Sequence, residues 1–357
     1  MHHSILFLPP METSDCKTPL IGMTLDGLTA VAAECGMPRF AAKQMARWLY
    51  EKRVTDIDAM TDLSLRSRER LKESYCIGRE APKLRTVSVD GTAKYLFEGV
   101  GGRDIEAVMI PDGDRATLCV SSQAGCKMNC RFCMTGRQGF HGNLSASAII
   151  NQVLSVDESA RLTNLVFMGM GEPMDNAAAV EQAIEVLTAK WGLAWSPKRI
   201  TVSSIGKLDT LRHLIEHTQV HIAISVHSPF SEEREGLMPV ERAWPLTSVL
   251  DMLRNYDWAH QRRLSIEYII WRGVNDDRRH ADALCRLLRG MDVRVNLIRF
   301  HAIPDVDLRP ASERTMVEFR ERLNANGITA TIRASRGEDI MAACGMLAGQ
   351  KRGEGRV

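Results

Sequence analysis

From Ala116 onward, short apolar runs of β character alternate with amphipathic stretches of helical period. The runs are TLCVSS, TNLVFMG, RITVSS, HIAISVH, LSIEYII, VRVNLI and ITATIRA. Strands that take turns with helices pair in parallel, because each helix carries the chain back to the same end of the sheet. Six or seven such units predict a barrel, complete or partial, whose chemistry sits at the C-terminal ends of its strands. Between the first two runs, SASAIINQVLSVDES places Ile149, Ile150, Val153 and Leu154 on one helical face behind a serine-rich start.

The stretch ahead of this alternation has a different character. Residues 22–82 read as a small helical unit: RFAAKQMARWLYEK spaces Phe40, Met45, Trp48 and Leu49 among charges, and SLRSRERLKESYC follows. Residues 83–111 read as strands joined by an Asp90-Gly91 turn and form a β linker or extension. The expected organisation is an extension over 1–21, the helical accessory unit over 22–82, the linker over 83–111, a catalytic core over 112–347 and a flexible tail over 348–357.

The chain's net charge is only +2. Between Pro38 and Arg85, however, twelve Lys and Arg stand against seven Asp and Glu, a local excess of +5. That excess describes either a solvated helical face or a module that meets nucleic-acid phosphates. No apolar run approaches the ~20 residues of a membrane span. MHHSILFLPP lacks a basic start and is broken by prolines, so a secretory leader is not expected. Nine cysteines, three of them clustered, suit a reducing compartment, and the protein is expected in the cytoplasm, with no membrane association.

The cluster is CKMNCRFC: Cys126, Cys130 and Cys133, directly after the first strand. Three thiolates can hold three irons of a [4Fe–4S] cluster and leave the fourth open. A zinc site completed by Cys119 or His141 is the alternative, although no second cysteine pair supports it. One unit later VFMGMGEP brings Gly169, Gly171 and Glu172 to a strand end, where glycine permits close approach of the backbone to a ligand. Cys344 follows Arg333 and Arg336, and nearby cations favour the thiolate.

The C-x3-C-x2-C spacing, with Phe132 before the last cysteine, resembles the radical S-adenosylmethionine superfamily. TLCVSSQAGCKMNCRFC, FMGMGEPMDN and IRASRGEDIMAACG together are similar to the adenine-C2 RNA methyltransferases. This resemblance implies a partial (β/α)6-type barrel behind a small N-terminal helical domain. It implies one [4Fe–4S] cluster per chain on Cys126, Cys130 and Cys133, and two S-adenosylmethionines per turnover. One methylates Cys344. The other is cleaved to a deoxyadenosyl radical, which removes hydrogen from S-methyl-Cys344. The resulting carbon radical adds to C2 of an adenosine, since C2 is too electron-poor to attack a methyl cation equivalent itself. Glu106 then takes the C2 proton, and Cys119 attacks the Cys344 sulfur, releasing the methylated base and leaving a disulfide. The resemblance further implies cofactor contacts from Gly171, Glu172, Ser203, Ser225, Val226, His227 and His301, the last standing where the family has asparagine. The expected partners are 23S rRNA, tRNA and a reductant, and the expected state is a monomer. A C8-directed relative, a maturase of the same superfamily and a zinc-bound, non-catalytic RNA-binding protein are the competing readings.

Overall fold

The computed structural model describes residues 17–258 and 263–348, so most of the expected N-terminal extension and nearly all of the tail lie outside the described residues. The helical unit comprises α1 (Leu25–Glu34), α2 (Ala41–Ala46), which runs on through a wide turn at Arg47–Glu51, and α3 (Leu65–Ser74). Thr24 and Ser64 cap α1 and α3 by accepting from Gly27 N at 3.2 Å and Ser67 N at 3.1 Å. A two-residue parallel pairing of Thr18–Pro19 with Tyr75–Cys76 brings the two ends of the unit together. Met45 and Leu49 are buried as their spacing predicts, but Phe40 is 64% exposed. Phe40 stands just ahead of α2, and Ala41 and Ala42 take the inward positions in its place. The unit shares one continuous apolar cluster with the rest of the chain. It is also tied there by polar contacts, such as Arg79 Nη2 to Leu154 O at 2.7 Å.

The main sheet has ten strands in strict sequence order: β1 (Leu84–Val87), β2 (Ala93–Phe97), β3 (Ile105–Asp112), β4 (Arg115–Cys119), β5 (Asn164–Phe167), β6 (Ile200–Ser204), β7 (His221–Ser225), β8 (Leu264–Ile270), β9 (Val293–Arg299) and β10 (Thr329–Ile332). From β4 to β10 every pairing is parallel, as the alternation of strand and helix predicts. The linker over 83–111 is not separate from this sheet. Its three strands add antiparallel to the β4 edge, and β3 runs past residue 111 to Asp112. The Asp90-Gly91 turn joins β1 to β2 as expected.

Side chains alternate across a strand, and here the two faces differ sharply. Leu165, Val202, Ile224, Ile266 and Leu297 are fully buried beneath helices. Ser203, Ser225 and Asn296 face the other way and are only half-buried. The inner face is therefore a cleft of polar and small residues. One register row crosses it as Ser225, Glu267, Asn296 and Thr331.

No strand pairing closes this sheet into a barrel among the described residues. The chain after β10 spans the opening instead and docks on the antiparallel extension. Gly337 N donates to Asp90 Oδ2 at 3.0 Å, and Asp339 accepts from Ser88 Oγ at 2.6 Å and Val89 N at 3.2 Å. Lys94 Nζ reaches Met341 O at 3.3 Å, and Ala348 N donates to Glu106 Oε2 at 2.9 Å. The result is a partial barrel with a strap across its mouth, and Cys344 lies on the strap.

Candidate active site

The three clustered cysteines occupy the loop between β4 and α4 (Met134–Arg137). Asn129 turns this loop through the left-handed region, with φ of 49°. Neighbours pin it on several sides. Cys126 N donates to Gly139 O at 2.9 Å and Arg131 N to Leu237 O at 3.0 Å. Met134 N donates to Gly345 O at 2.8 Å, and Thr135 Oγ1 to Leu347 O at 2.6 Å, so the loop and the Cys344 strap hold one another. Phe132 anchors it from below, its ring 4.8 Å from His227 and 5.1 Å from Trp271.

Burial pushes the Cys126 thiol up to about 12 and raises Cys130 well above the ordinary thiol value, and the neighbouring cysteines add to both. Thiols that oppose one another's ionisation in this way need a shared cation to become ligands. Among the described residues no three Cys, His, Asp or Glu side chains are placed to hold a single ion. Thiolates are the donors that iron–sulfur clusters take, so these three soft sulfur donors fit such a group.

The glycine loop follows β5. A Cβ on Gly171, at φ of +97°, would stand 2.5 Å from Gln123 Cβ, so the chain's own packing already requires glycine there. Beside it, buried Glu172 accepts from Met174 N and Ile205 N at 3.1 Å each and donates its own N–H to Gln123 Oε1 at 2.9 Å. Burial outweighs these bonds and lifts its carboxyl to about 7. Between about pH 4.5 and 7 the folded, ligand-free chain thus keeps a proton that the unfolded chain releases. Stability from this group is present in full below pH ~4.5 and is lost as pH rises through 7, on the order of 3 kcal/mol in all. Melting temperatures at pH 5 and pH 8 should therefore fall less steeply for Glu172→Gln than for the unsubstituted protein. Parallel slopes would remove Glu172 from this account.

Ser203, Ser225, Val226 and His227 lie at the ends of β6 and β7. His227 takes a positive φ of 60°, and its Nδ1 accepts from Ile269 N at 3.1 Å, which leaves Nε2 as the donor. Burial, aided by Arg234, holds this imidazole neutral with a pKa of about 3. Arg234, in α8 (Ser231–Leu237; α5, α6 and α7 are Ala146–Ser155, Ala177–Thr188 and Leu208–His217), is the organiser that sequence reasoning missed. Its fully buried guanidinium pairs with Glu241 and donates to Val226 O at 3.1 Å, Ser225 O at 3.0 Å and Ile205 O at 3.2 Å. In sequence it sits within SEEREG, where an arginine reads as solvent-facing. Arg234→Met strands the buried Glu241 carboxylate and should cost about 3–5 kcal/mol. A denaturation midpoint shift would report this, and Arg234→Met/Glu241→Leu should recover most of it.

Cys119 ends β4 on the inner face and is buried; Cys344 is exposed on the strap. Cys344 acts electrostatically on Cys119, and Arg333 acts on both. Burial, with a contribution from Cys344, lifts the Cys119 thiol to about 12, while Arg333 pulls the other way. The Cys344 thiol also moves up, crowded by surrounding protein, and Arg333 again opposes the shift. Glu106 lies alongside, buried, its Oε1 3.0 Å from Lys94 Nζ and its Oε2 on Ala348 N. His301 follows β9 and is buried. Its Nε2 meets Ser335 Oγ at 2.7 Å and its Nδ1 lies 3.2 Å from Glu338 Oε1, so the strap engages both ring nitrogens.

The Radical SAM superfamily profile matches residues 120–284, and that of the ribosomal RNA large subunit methyltransferase N-terminal domain matches residues 18–77. A probable dual-specificity RNA methyltransferase RlmN from Phocaeicola vulgatus is 56% identical over 96% of this chain and 97% of its own length. The dual-specificity RNA methyltransferase RlmN of Syntrophus aciditrophicus is 40% identical over 92% of the chain and 95% of its own. A crystal structure of a radical SAM methyltransferase from Sphaerobacter thermophilus, 38% identical, superposes with a TM-score of 0.87 over 92% of this chain and 99% of that one. These matches set aside a non-catalytic zinc protein. No helix among the described residues is long and apolar enough to cross a membrane. The chain is an S-adenosylmethionine-dependent RNA methyltransferase with a radical mechanism, and it belongs to the RlmN family.

Proposed function

We propose that this enzyme methylates C2 of adenosine in 23S rRNA and in tRNA, with Cys344 as the methyl carrier. The observation that carries this reading is the meeting of Cys344 and Cys119 around Arg333, at the mouth of the cleft beside the three-cysteine loop. Cys126, Cys130 and Cys133 would hold the [4Fe–4S] cluster, and Gly171, Glu172, Ser203, Ser225, Val226 and His227 would line the S-adenosylmethionine site. His301 would join them only by exchanging a strap contact. When bound, that pair supplies a methyl group and, from a second S-adenosylmethionine, the radical that removes hydrogen from S-methyl-Cys344.

The remaining work belongs to the chain. Arg333 favours the Cys344 thiolate that accepts the methyl. The S-methylene carbon bonds to C2, tethering RNA to protein. Glu106, fixed by Lys94 and Ala348, accepts the C2 proton. Together with that proton the adduct gives up its odd electron, which the cluster would take back; the Cys119 thiolate then attacks the Cys344 sulfur, the carbon–sulfur bond breaks with its electron pair on carbon, and that carbon takes up a proton to become the methyl as the disulfide forms. A reductant restores the dithiol. Arg39, Lys43 and Arg47, one turn apart and exposed beside Phe40, offer a basic face for RNA phosphates. The enzyme is proposed to act as a cytoplasmic monomer.

Nucleoside mass spectrometry after reaction with a 23S rRNA fragment and with tRNA tests this reading. It predicts 2-methyladenosine in both. 8-Methyladenosine would overturn the position assigned to the methyl, and unmodified tRNA would remove that substrate.

A further inference from the structure

Glu267 is an oddly placed carboxylate. It projects from β8 into the cleft, with its side chain 4% exposed. Oε1 is fixed by Asn296 Nδ2 at 2.7 Å and Ser265 Oγ at 3.4 Å, and Thr331 Oγ1 orients the Asn296 amide by donating to its Oδ1 at 3.1 Å. Oε2 is buried and has no hydrogen-bond partner. The Arg333 Nε stands 3.9 Å from it, beyond hydrogen-bonding distance. A buried carboxylate oxygen without a donor is costly, and a protein that fixes one so carefully is holding it for something. Arg333 is similarly unspent. Its backbone is tied to Leu297 O at 2.9 Å, but its side chain is 38% exposed and, besides the long approach to Glu267, makes a 3.6 Å contact to Met168 Sδ. Its charge acts on both Cys119 and Cys344, and Glu267 acts on Cys344 as well.

Three kinds of group therefore share this part of the cleft: an acceptor at Glu267, a donor at Arg333 and sulfur at Cys344 and Cys119. Adenine offers the complementary series along one edge: an N6 amine that donates, N1 that accepts, and C2. We propose that Glu267 and Arg333 read this edge of the target adenine, Glu267 Oε2 accepting from N6 and the Arg333 guanidinium donating to N1, so that C2 faces the Cys344 sulfur. The inference rests on the adenosine-C2 reading above. It explains why C2 rather than C8 is presented, since C8 lies on the far side of the base. It also explains rejection of guanine, whose O6 and N1–H reverse both contacts. A donor on N1 draws electron density from C2, which suits addition of a carbon radical there.

Glu267 shares its register row with Ser225, an expected cofactor contact, while its carboxylate is fixed on the β9 side by Asn296; the test below separates the target base from the cofactor.

A four-cornered cycle tests the proposal. Wild type and Glu267→Ala are each given an RNA hairpin with adenosine, or purine riboside lacking the N6 amine, at the target position, and kcat/KM for methyl transfer is measured. Loss of the amine should cost wild type about 10- to 100-fold and the variant less than about threefold. Arg333→Met with 1-deazaadenosine should behave alike. Should Glu267→Ala not fold, Glu267→Gln keeps the volume and the acceptor for Asn296, and the cycle is run on it. Equal losses in wild type and variant, when wild type makes 2-methyladenosine, would overturn this inference alone. Equal losses with weakened S-adenosylmethionine binding would reassign the contact to the cofactor, which also overturns it. Absence of 2-methyladenosine from the wild-type reaction would sink the inference together with the function reading.

Discussion

Cys344→Ala protein should transfer no methyl to RNA above background, a loss of at least about 10^4-fold, because the carrier atom itself is gone. The substitution leaves the surroundings intact. The strap is held by backbone and side-chain contacts at Gly337, Asp339, Met341, Gly345, Leu347 and Ala348, none of which involves the Cys344 sulfur. Cys119 is no substitute, since it is buried and its thiol lies near 12. Folding, followed by circular dichroism and melting temperature, should match wild type. Methyl transfer within tenfold of wild type would mean that carbon reaches RNA without passing through Cys344.

Cys119→Ala should fail at the opposite end of the reaction. The carrier takes its methyl and bonds to RNA, but nothing then attacks the Cys344 sulfur. Turnover should stop at or below one equivalent, and denaturing electrophoresis should show protein and RNA migrating as one species that nuclease collapses. The resting state explains why the resolving thiol does not act early. Burial and the nearby Cys344 keep Cys119 protonated, and exchange requires the thiolate. Arg333 is the charge that works against this, so Arg333→Met should slow release as well as methyl acceptance. Ordinary multiple turnover by Cys119→Ala would remove it from the resolving step.

The seven parallel strands were legible because strand and helix leave different periods in sequence, two against about 3.6, and neither depends on distant contacts. The antiparallel extension was legible as strands but not as part of the main sheet. A hairpin that continues a sheet edge carries the same alternation as one that stands alone. Phe40 shows another limit: helical spacing marks a face, yet two alanines could fill the inward positions and did. The strap could not be read at all. Asp90, Asp339 and Lys94 are ordinary turn and surface residues until the fold brings the region after β10 to β1 and β2, some 250 positions away in one pair. Arg234 was hidden for the same reason, since burial of a charge depends on which elements close over it. The contacts of His301 with Ser335 and Glu338 on the strap likewise depend on the fold and left no mark in the sequence. The cysteine loop was the clearest feature of all, because three thiols at this spacing have few uses and the strand before them sets where they emerge.

Peptide-resolved mass spectrometry of the wild-type enzyme after incubation with isotopically labelled S-adenosylmethionine, in the absence of RNA, tests the central claim most directly. The account predicts one labelled methyl on the peptide carrying Cys344 and none on that carrying Cys119. A label on Cys119, or no labelled cysteine in an enzyme that still methylates RNA, would contradict it.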